Sequence, residues 1–221
     1  MLLDAATWPW LALILLGAYH GLNPGMGWLF AVALGLQEGK RNAVLRALPP
    51  IALGHALSVA VVAGLFLLLR AAVPPLALKI GAAALLCGFG IYRLVRSRHP
   101  SWVGMRVGFR DLVLWSFVMA SAHGAGLMLL PVFLGRGGAR HEHPHAGHAG
   151  HAGHLSSTWD TPGEWLAAVG VHTAAHLVVA GLIALLVYEK LGVAILRRAW
   201  LNLDLLWCLV LIASGILVLV T

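Results

Sequence analysis

Histidine supplies 12 of the 221 residues, and its neutral ring nitrogens can bind transition metals or carry protons. Five histidines fall within long apolar segments, where a polar ring is costly and usually faces a bundle interior or a water path. These five are His20, His55, His123, His172 and His176. His172 and His176 are four residues apart, so both should project from one helix face as a two-point metal clamp. We predict that the five histidines share a metal site.

Other chemistries that use paired histidines or carboxylates fit the sequence less well. A zinc protease of the His-Glu-X-X-His type needs glutamate directly after the first histidine, but Thr173 follows His172. Only Asp204 among the acidic residues lies inside an apolar segment, so a carboxylate-rich calcium or magnesium site is not expected. A single buried histidine can also serve only as a hydrogen-bonding group between helices, and for each of the five that simpler role stays open.

Asn23 and Met26 are candidates for substrate contact at a break in the first apolar segment. The break is predicted at Pro24, because proline lacks a backbone donor and three nearby glycines loosen the helix. The Asn23 amide and freed backbone carbonyls could contact an ion there, and the Met26 thioether could bind a soft ion such as copper(I). A capping role for Asn23 and a packing role for Met26 are the alternatives.

Six further histidines lie in one polar loop, residues 136–164. They are His141, His143, His145, His148, His151 and His154. From the third of them onward an imidazole recurs at every third residue on an Ala-Gly backbone with little to pack, which could offer several nitrogens to nickel, cobalt, copper or zinc. We expect weak, exchangeable binding; a low-complexity insertion without function is the alternative.

The overall composition predicts an integral membrane protein. Hydrophobic residues make up 60% of the chain and charged residues only 10%, with a mean hydropathy of +0.87, whereas a soluble domain carries about 25% charged residues. Six apolar segments are long enough to cross a bilayer core, which needs roughly 20 helical residues. They are 8–36, 47–69, 76–95, 111–134, 165–188 and 200–220. The predicted fold class is therefore all-α, a polytopic membrane protein with six transmembrane helices, the first of them broken.

The 15 Lys and Arg residues exceed the 8 Asp and Glu residues, and their distribution predicts the topology. The loops after segments 1, 3 and 5 hold 11 of the basic residues and the other two loops hold 4. By the positive-inside bias, both termini and the histidine-rich loop should lie outside, in the periplasm if the membrane is a bacterial inner membrane. This bias accounts for the +7 charge without a nucleic-acid partner. The expected partners are the lipid bilayer and metal ions, and a homo-oligomer is compatible with the sequence.

Matching residues in the two halves of the chain predict an internal repeat. His20-Gly21 is echoed by His123-Gly124, Gly54-His55 by Ala175-His176, and Gly90-Ile91 by Gly215-Ile216. Two three-helix units, 1–100 and 101–221, would then form one transmembrane domain, 1–221. Because three is odd, the second unit must be inverted, an arrangement typical of transporters with a midplane site. Chance similarity between apolar segments is the alternative.

The run His20-Gly21-Leu22-Asn23-Pro24-Gly25, followed by Gly54-His55 and a histidine-rich loop near mid-chain, resembles the NicO-type nickel/cobalt efflux proteins. These belong to the lysine-exporter superfamily of 3+3 helix transporters. The resemblance implies the 3+3 helix fold and a role in metal efflux. It also implies that His20 and His55 lie on the ion pathway. The chain departs at Met26, where the family typically has a further histidine, which leaves the transported ion open.

Together these patterns predict a transporter, most simply an exporter of a divalent transition-metal cation such as nickel or cobalt. The metal would be cargo, and no permanently bound cofactor is expected. An amino-acid or small-solute exporter is one alternative, and a membrane metalloenzyme or metal-delivery factor is another. No Gly-rich segment continues into Gly-Lys-Ser/Thr, so we do not expect an enzyme that hydrolyses nucleotides.

Overall fold

The computed structural model describes residues 7–95, 108–134, 161–191 and 203–220, and all regular secondary structure within these ranges is helical. The helices are α1 (Trp8–Leu22), α2 (Trp28–Glu38), α3 (Arg41–Ala72), α4 (Pro75–Val95), α5 (Phe109–Ala122), α6 (Leu130–Leu134), α7 (Pro162–Leu186) and α8 (Leu203–Val220). A π-helical turn, Val187–Leu191, extends α7. The all-α prediction is confirmed for these residues, whereas the six histidines at 141–154 lie outside them.

Within the described residues three helices are long and apolar enough to cross a membrane, namely α3, α4 and α7 with its π-helical turn. A fourth span is formed if α5 and the segment Leu127–Leu134, which are bent by 52° from each other, are taken as one. The helices α1, α2 and α8 are apolar but shorter. The six spans therefore remain a prediction.

Large aliphatic side chains cover the outward faces of the helices. Leu68 in α3, Leu166 in α7 and Val220 in α8 expose 73%, 71% and 80% of their surface. Soluble monomers rarely expose apolar surface on this scale. Such faces are compatible with the hydrocarbon core of a bilayer. The protein is membrane-associated by this criterion.

The break predicted in the first apolar segment separates α1 from α2. The Asn23 side-chain oxygen accepts a hydrogen bond of 2.9 Å from the backbone N–H of Gly25 and so caps the 3₁₀ turn Pro24–Met26. Gly27 then adopts φ +120°, a conformation that residues with a Cβ rarely adopt. Asn23 thus has the capping role that was one of its two interpretations.

A second break, which the sequence analysis did not predict, separates α5 from α6. It begins at His123, the C-cap of α5, and continues through Gly124, whose φ is +70°. The one signal for it was the echo of His20-Gly21 in His123-Gly124, because the first pair directly precedes the first break.

Helices α1 and α7 pack closely and run parallel, because their contacts advance together along both chains. His172 donates a hydrogen bond to the Leu13 carbonyl, and two turns later Gly21 lies against the His176 carbonyl and Val179. Small residues in α1 let the two backbones approach, as is common between membrane helices.

Helices α3 and α5 form a second parallel pair. The Ser116 hydroxyl donates to the Ile51 carbonyl at 2.7 Å, and further along Ser58 and Ser121 are joined by a hydrogen bond of 2.9 Å. Helices α4 and α8 instead run antiparallel, since Gly90 lies against Ile212 while Gly215 lies against Cys87.

Helices α3 and α7 lie side by side in opposite directions. At one end of the bundle Arg41 and Glu189 form an ion pair of 3.1 Å, and at the other end the rings of Phe66 and Trp165 are 5.9 Å apart. The middle of this contact holds the buried histidines.

Candidate metal-binding site

Four of the five predicted histidines come together where α1, α3 and α7 meet. His20, His55, His172 and His176 are all completely buried. The ring centroids of His20 lie 5.5 Å from those of His55 and 5.0 Å from those of His172, and the His55 and His172 centroids are 5.4 Å apart. His176 stacks on His55 at 4.0 Å. We call these four residues the histidine cluster.

Backbone carbonyls determine which nitrogen carries the proton in two of these rings. His20 Nδ1 lies 2.6 Å from the Leu16 carbonyl, and His172 Nδ1 lies 3.2 Å from the Leu13 carbonyl. A carbonyl can only accept, so Nδ1 is the donor in both rings and Nε2 keeps its lone pair. A histidine held in this way presents a pre-oriented ligand nitrogen.

The remaining nitrogens of the histidine cluster lack partners in the described part of the chain. They include Nε2 of His20, Nε2 of His172 and both nitrogens of His55. His176 lies near the backbone of Met26 but without the geometry of a hydrogen bond. An unsatisfied buried polar group costs about 1–3 kcal/mol. This arrangement therefore favours a ligand that can bind the ring nitrogens for which the described part of the chain supplies no partner.

The distances between the rings suit a shared ion, but the rings are not oriented to bind one in this structure. A tetrahedral ion with metal–nitrogen bonds of about 2.0–2.1 Å holds imidazole centroids about 5 Å apart, close to the separations among His20, His55 and His172. Within the described residues, no group of three or more His, Cys, Asp or Glu side chains has its donor atoms arranged to hold a metal. The rings of His55 and His176 lie flat on each other, 5° from parallel, so binding an ion requires them to rotate.

His123 lies outside the histidine cluster, because the structure places it against Trp207. Its Nδ1 donates to the Met119 carbonyl at 2.8 Å, and its own carbonyl accepts a hydrogen bond from the Trp207 indole N–H. The Trp207 ring also meets the His20 ring edge-on at 4.5 Å and stacks on Tyr19 at 5.1 Å. A ring contact of 5.5 Å joins His123 to Trp207.

The two candidates at the first break have different surroundings. Met26 is buried in an apolar cluster, and its backbone lies near His176. Asn23 is 6% exposed; its oxygen caps the turn while its side-chain NH₂ has no partner within the described residues. The amide therefore has hydrogen-bonding capacity left at the first break.

Sequence reasoning missed Trp207 and Tyr19. The chain has 9 tryptophans, most of them near segment ends, where they suggest interfacial anchors. Trp207 differs in lying well inside the last apolar segment, and it is only 2% exposed. Its position inside the last apolar segment was the sequence feature from which interior packing of this ring could have been predicted.

The described part of the chain is an all-helical bundle with apolar helices of membrane-spanning length around a buried histidine cluster. No family model, curated protein sequence or solved structure matches the chain.

Proposed function

We propose that this protein is an integral membrane transporter that exports a divalent transition-metal cation, nickel or cobalt first among them, through the histidine cluster. The observation that carries the proposal is a set of four buried imidazoles, each of which has at least one ring nitrogen without a partner in the described part of the chain. Imidazole is a borderline ligand that favours nickel, cobalt, copper and zinc over magnesium and calcium.

The donor set also suits release of the ion. Neutral imidazoles leave the two positive charges of the cation uncompensated, which is unfavourable in an apolar interior. Structural zinc sites commonly use thiolates, which neutralise the metal. A site made of neutral rings should bind more weakly and exchange its ion, as a transporter requires.

The packing of α4 on α8 supports an inverted repeat. Gly90 lies against Ile212 and the Cys208 carbonyl, while Gly215 lies against Cys87 and the Ala83 carbonyl. In the register that matches Gly90 with Gly215, each of these contacts is the counterpart of the other. Reciprocal contacts are what an inverted repeat requires of its third and sixth segments.

Two pairs of hydrogen bonds also join residues that correspond to each other in the two halves of the chain. His20 bonds to the carbonyl four residues before it, as His123 does. In the registers that match His20 with His123 and His55 with His176, the pair His172–Leu13 corresponds to the pair Ile51–Ser116. The donor and acceptor are exchanged between the two bonds, since His172 donates whereas its counterpart Ile51 accepts.

Helix directions support six spans with alternating orientation. Alternation requires segments 1 and 5 to be parallel, segments 2 and 4 to be parallel, and segments 3 and 6 to be antiparallel, which are the directions of the pairs α1–α7, α3–α5 and α4–α8. The ion pair between Arg41 and Glu189 joins two basic loops on one side of the bundle. We assign that side to the cytoplasm of a bacterium, with both termini and residues 136–164 in the periplasm.

The test is ion flux in proteoliposomes that contain a metal-sensitive dye, with nickel, cobalt, copper, zinc and magnesium compared. We expect flux of one or more of the first four ions and no flux of magnesium. His55→Ala and His172→Ala should reduce that flux at least tenfold. His123→Ala is the matched control, because this histidine is equally buried but lies outside the cluster, and it should retain most of the flux.

Other outcomes would identify another function. Equal flux in wild type, His55→Ala and His172→Ala would contradict the proposal. Stoichiometric metal retained through purification, without flux, would indicate a metalloenzyme or metal-delivery factor. Flux of an amino acid that is indifferent to both substitutions would indicate a small-solute exporter.

A further inference from the structure

We infer that two side-chain clusters, one towards each end of the bundle, are the gates that close the histidine cluster; the inference rests on the proposed function. The aromatic gate consists of Phe66, Phe133 and Trp165. The valine gate consists of Phe30, Val44 and Val187. Each gate joins α3 to α7 and adds a residue from the helix that follows a break.

The aromatic gate is a contiguous set of rings. Phe133 of α6 lies 4.3 Å from Trp165 of α7 and 6.4 Å from Phe66 of α3, measured between ring centroids. All three side chains are buried to 5% exposure. Rings packed against one another across three helices leave no room for a hydrated ion between them, so this cluster closes the bundle where the three rings meet.

The valine gate belongs to a separate apolar core at the opposite end. Val44 of α3 is completely buried and Val187, directly after α7, is 3% exposed. Both belong to this core, and the half-buried Phe30 of α2 packs against the core and meets the Trp115 ring of α5 at 4.9 Å. The ion pair between Arg41 and Glu189 lies beyond it. Aliphatic packing closes this end as the aromatic rings close the other.

The two gates occupy the same positions in the two halves of the chain. The register that matches His55 with His176 also matches Val44 with Trp165 and Phe66 with Val187. The register that matches His20 with His123 also matches Phe30 with Phe133. Apolar packing at one end of a bundle is ordinary, and we infer a paired device because corresponding positions belong to the apolar packing at both ends.

Both gates lie at equal distances from the histidine cluster along the helices. Val44 and Phe66 are each 11 residues from His55, which is about 16 Å at 1.5 Å per residue. Trp165 and Val187 are likewise 11 residues from His176. The histidine cluster is thus midway between two closed ends, an occluded arrangement from which either gate can open.

The ends differ in what surrounds each gate. A cavity of about 250 Å³ lies beside each gate, one with Ala63, Leu67 and Trp165 in its wall and the other with Leu34, Ala43 and Ala47, so the cavities do not distinguish the ends. At the end with the valine gate the ion pair bridges α3 and α7, and the counterparts of Arg41 and Glu189 are Pro162 and Leu68, which cannot form one. The aromatic gate should therefore open more readily than the valine gate.

The test uses a thiol inside the closed space. His55→Cys is made in a chain with Cys87→Ser and Cys208→Ala, and its labelling by a small membrane-impermeant methanethiosulfonate is followed in right-side-out and inside-out vesicles. We expect slow labelling from both sides. Phe66→Ala should accelerate labelling at least tenfold from one side only, and Val44→Ala with Val187→Ala should do so from the opposite side only.

Leu86→Ala is the control, because Leu86 is completely buried but lies in α4. Acceleration from the same side by both gate variants, or no more acceleration than with Leu86→Ala, would overturn the assignment. If Phe66→Ala does not yield a monodisperse protein, Phe66→Leu and Trp165→Phe replace it with smaller losses of volume. Thiol labelling requires no metal, so it tests the gates even if the protein does not transport metal. Metal transport is measured independently, by ion flux in the dye-filled proteoliposomes.

Discussion

The imidazole rings of His55 and His176 stack face to face, with centroids 4.0 Å apart and planes 5° from parallel. Nitrogen lone pairs lie in the plane of an imidazole, so stacked rings cannot both direct a nitrogen at one ion between them. The stack therefore describes a resting arrangement, and rotation of one ring is the smallest change that would add a ligand to those from His20 and His172.

X-ray absorption spectroscopy of the metal-loaded protein tests this rotation directly. We expect three or four imidazole nitrogens around zinc at about 2.0–2.1 Å. His176→Ala should remove one imidazole from the fitted shell, while His123→Ala should leave the shell unchanged. A shell of oxygen ligands alone, in the wild-type protein, would contradict a histidine site.

Gly21 should tolerate no side chain, because α1 and α7 approach there. A Cβ added at Gly21 would lie 2.6 Å from the His176 carbonyl oxygen and 2.8 Å from the Val179 Cβ. We expect Gly21→Ala to lower the free energy of unfolding by about 1–3 kcal/mol through overpacking and to weaken metal binding, because it pushes α1 and His20 away from α7. Thermal unfolding in detergent and metal titration measure the two effects.

Gly81→Ala is the matched control for this prediction. Gly81 is also helical, and a Cβ there would have no neighbour within 4 Å. Alanine at that position should be neutral or stabilise the helix by up to about 1 kcal/mol. Equal effects of the two substitutions would show that the contact between α1 and α7 is not tight.

Asn23 should stabilise the first break through its side-chain oxygen. Asn23→Ala removes the acceptor for the Gly25 N–H and is expected to cost about 0.5–2 kcal/mol, whereas Asn23→Asp keeps an acceptor and should retain most of the stability. Thermal unfolding of both variants measures this role. If ion flux falls in Asn23→Asp while stability does not, the amide NH₂ contacts the transported ion as well.

Trp207 should hold the boundary between the histidine cluster and His123. Trp207→Phe keeps a ring to stack on Tyr19 but leaves the His123 carbonyl without the indole donor, a loss of about 1–3 kcal/mol. Trp207→Ala also opens a large cavity and should cost about 3–5 kcal/mol. Chemical denaturation measures both values, and a Trp207→Ala protein as stable as Trp207→Phe would mean that the ring contributes little packing.

Local features of the chain were predictable because they depend on neighbours in sequence. The helical class, the break near Pro24 and the shared face of His172 and His176 follow from composition, from a missing backbone donor and from helical periodicity. The bend after His123 has the same kind of local cause, a glycine with positive φ, but without a proline its signal was too weak to predict a break.

The sequence alone determined which segments are apolar helices, where the first of them breaks, and which histidines are placed in apolar surroundings. Only the tertiary structure decided that His20 and His55 join His172 and His176 while His123 lies against Trp207. That difference depends on how far helices distant in sequence can approach, and the approach is limited by side-chain volume at the contacts. Gly21 lets α1 approach α7, and the indole of Trp207 fills the space beside His123. Helical periodicity describes only one helix at a time, so it could not show that His20 and His123 have different neighbours.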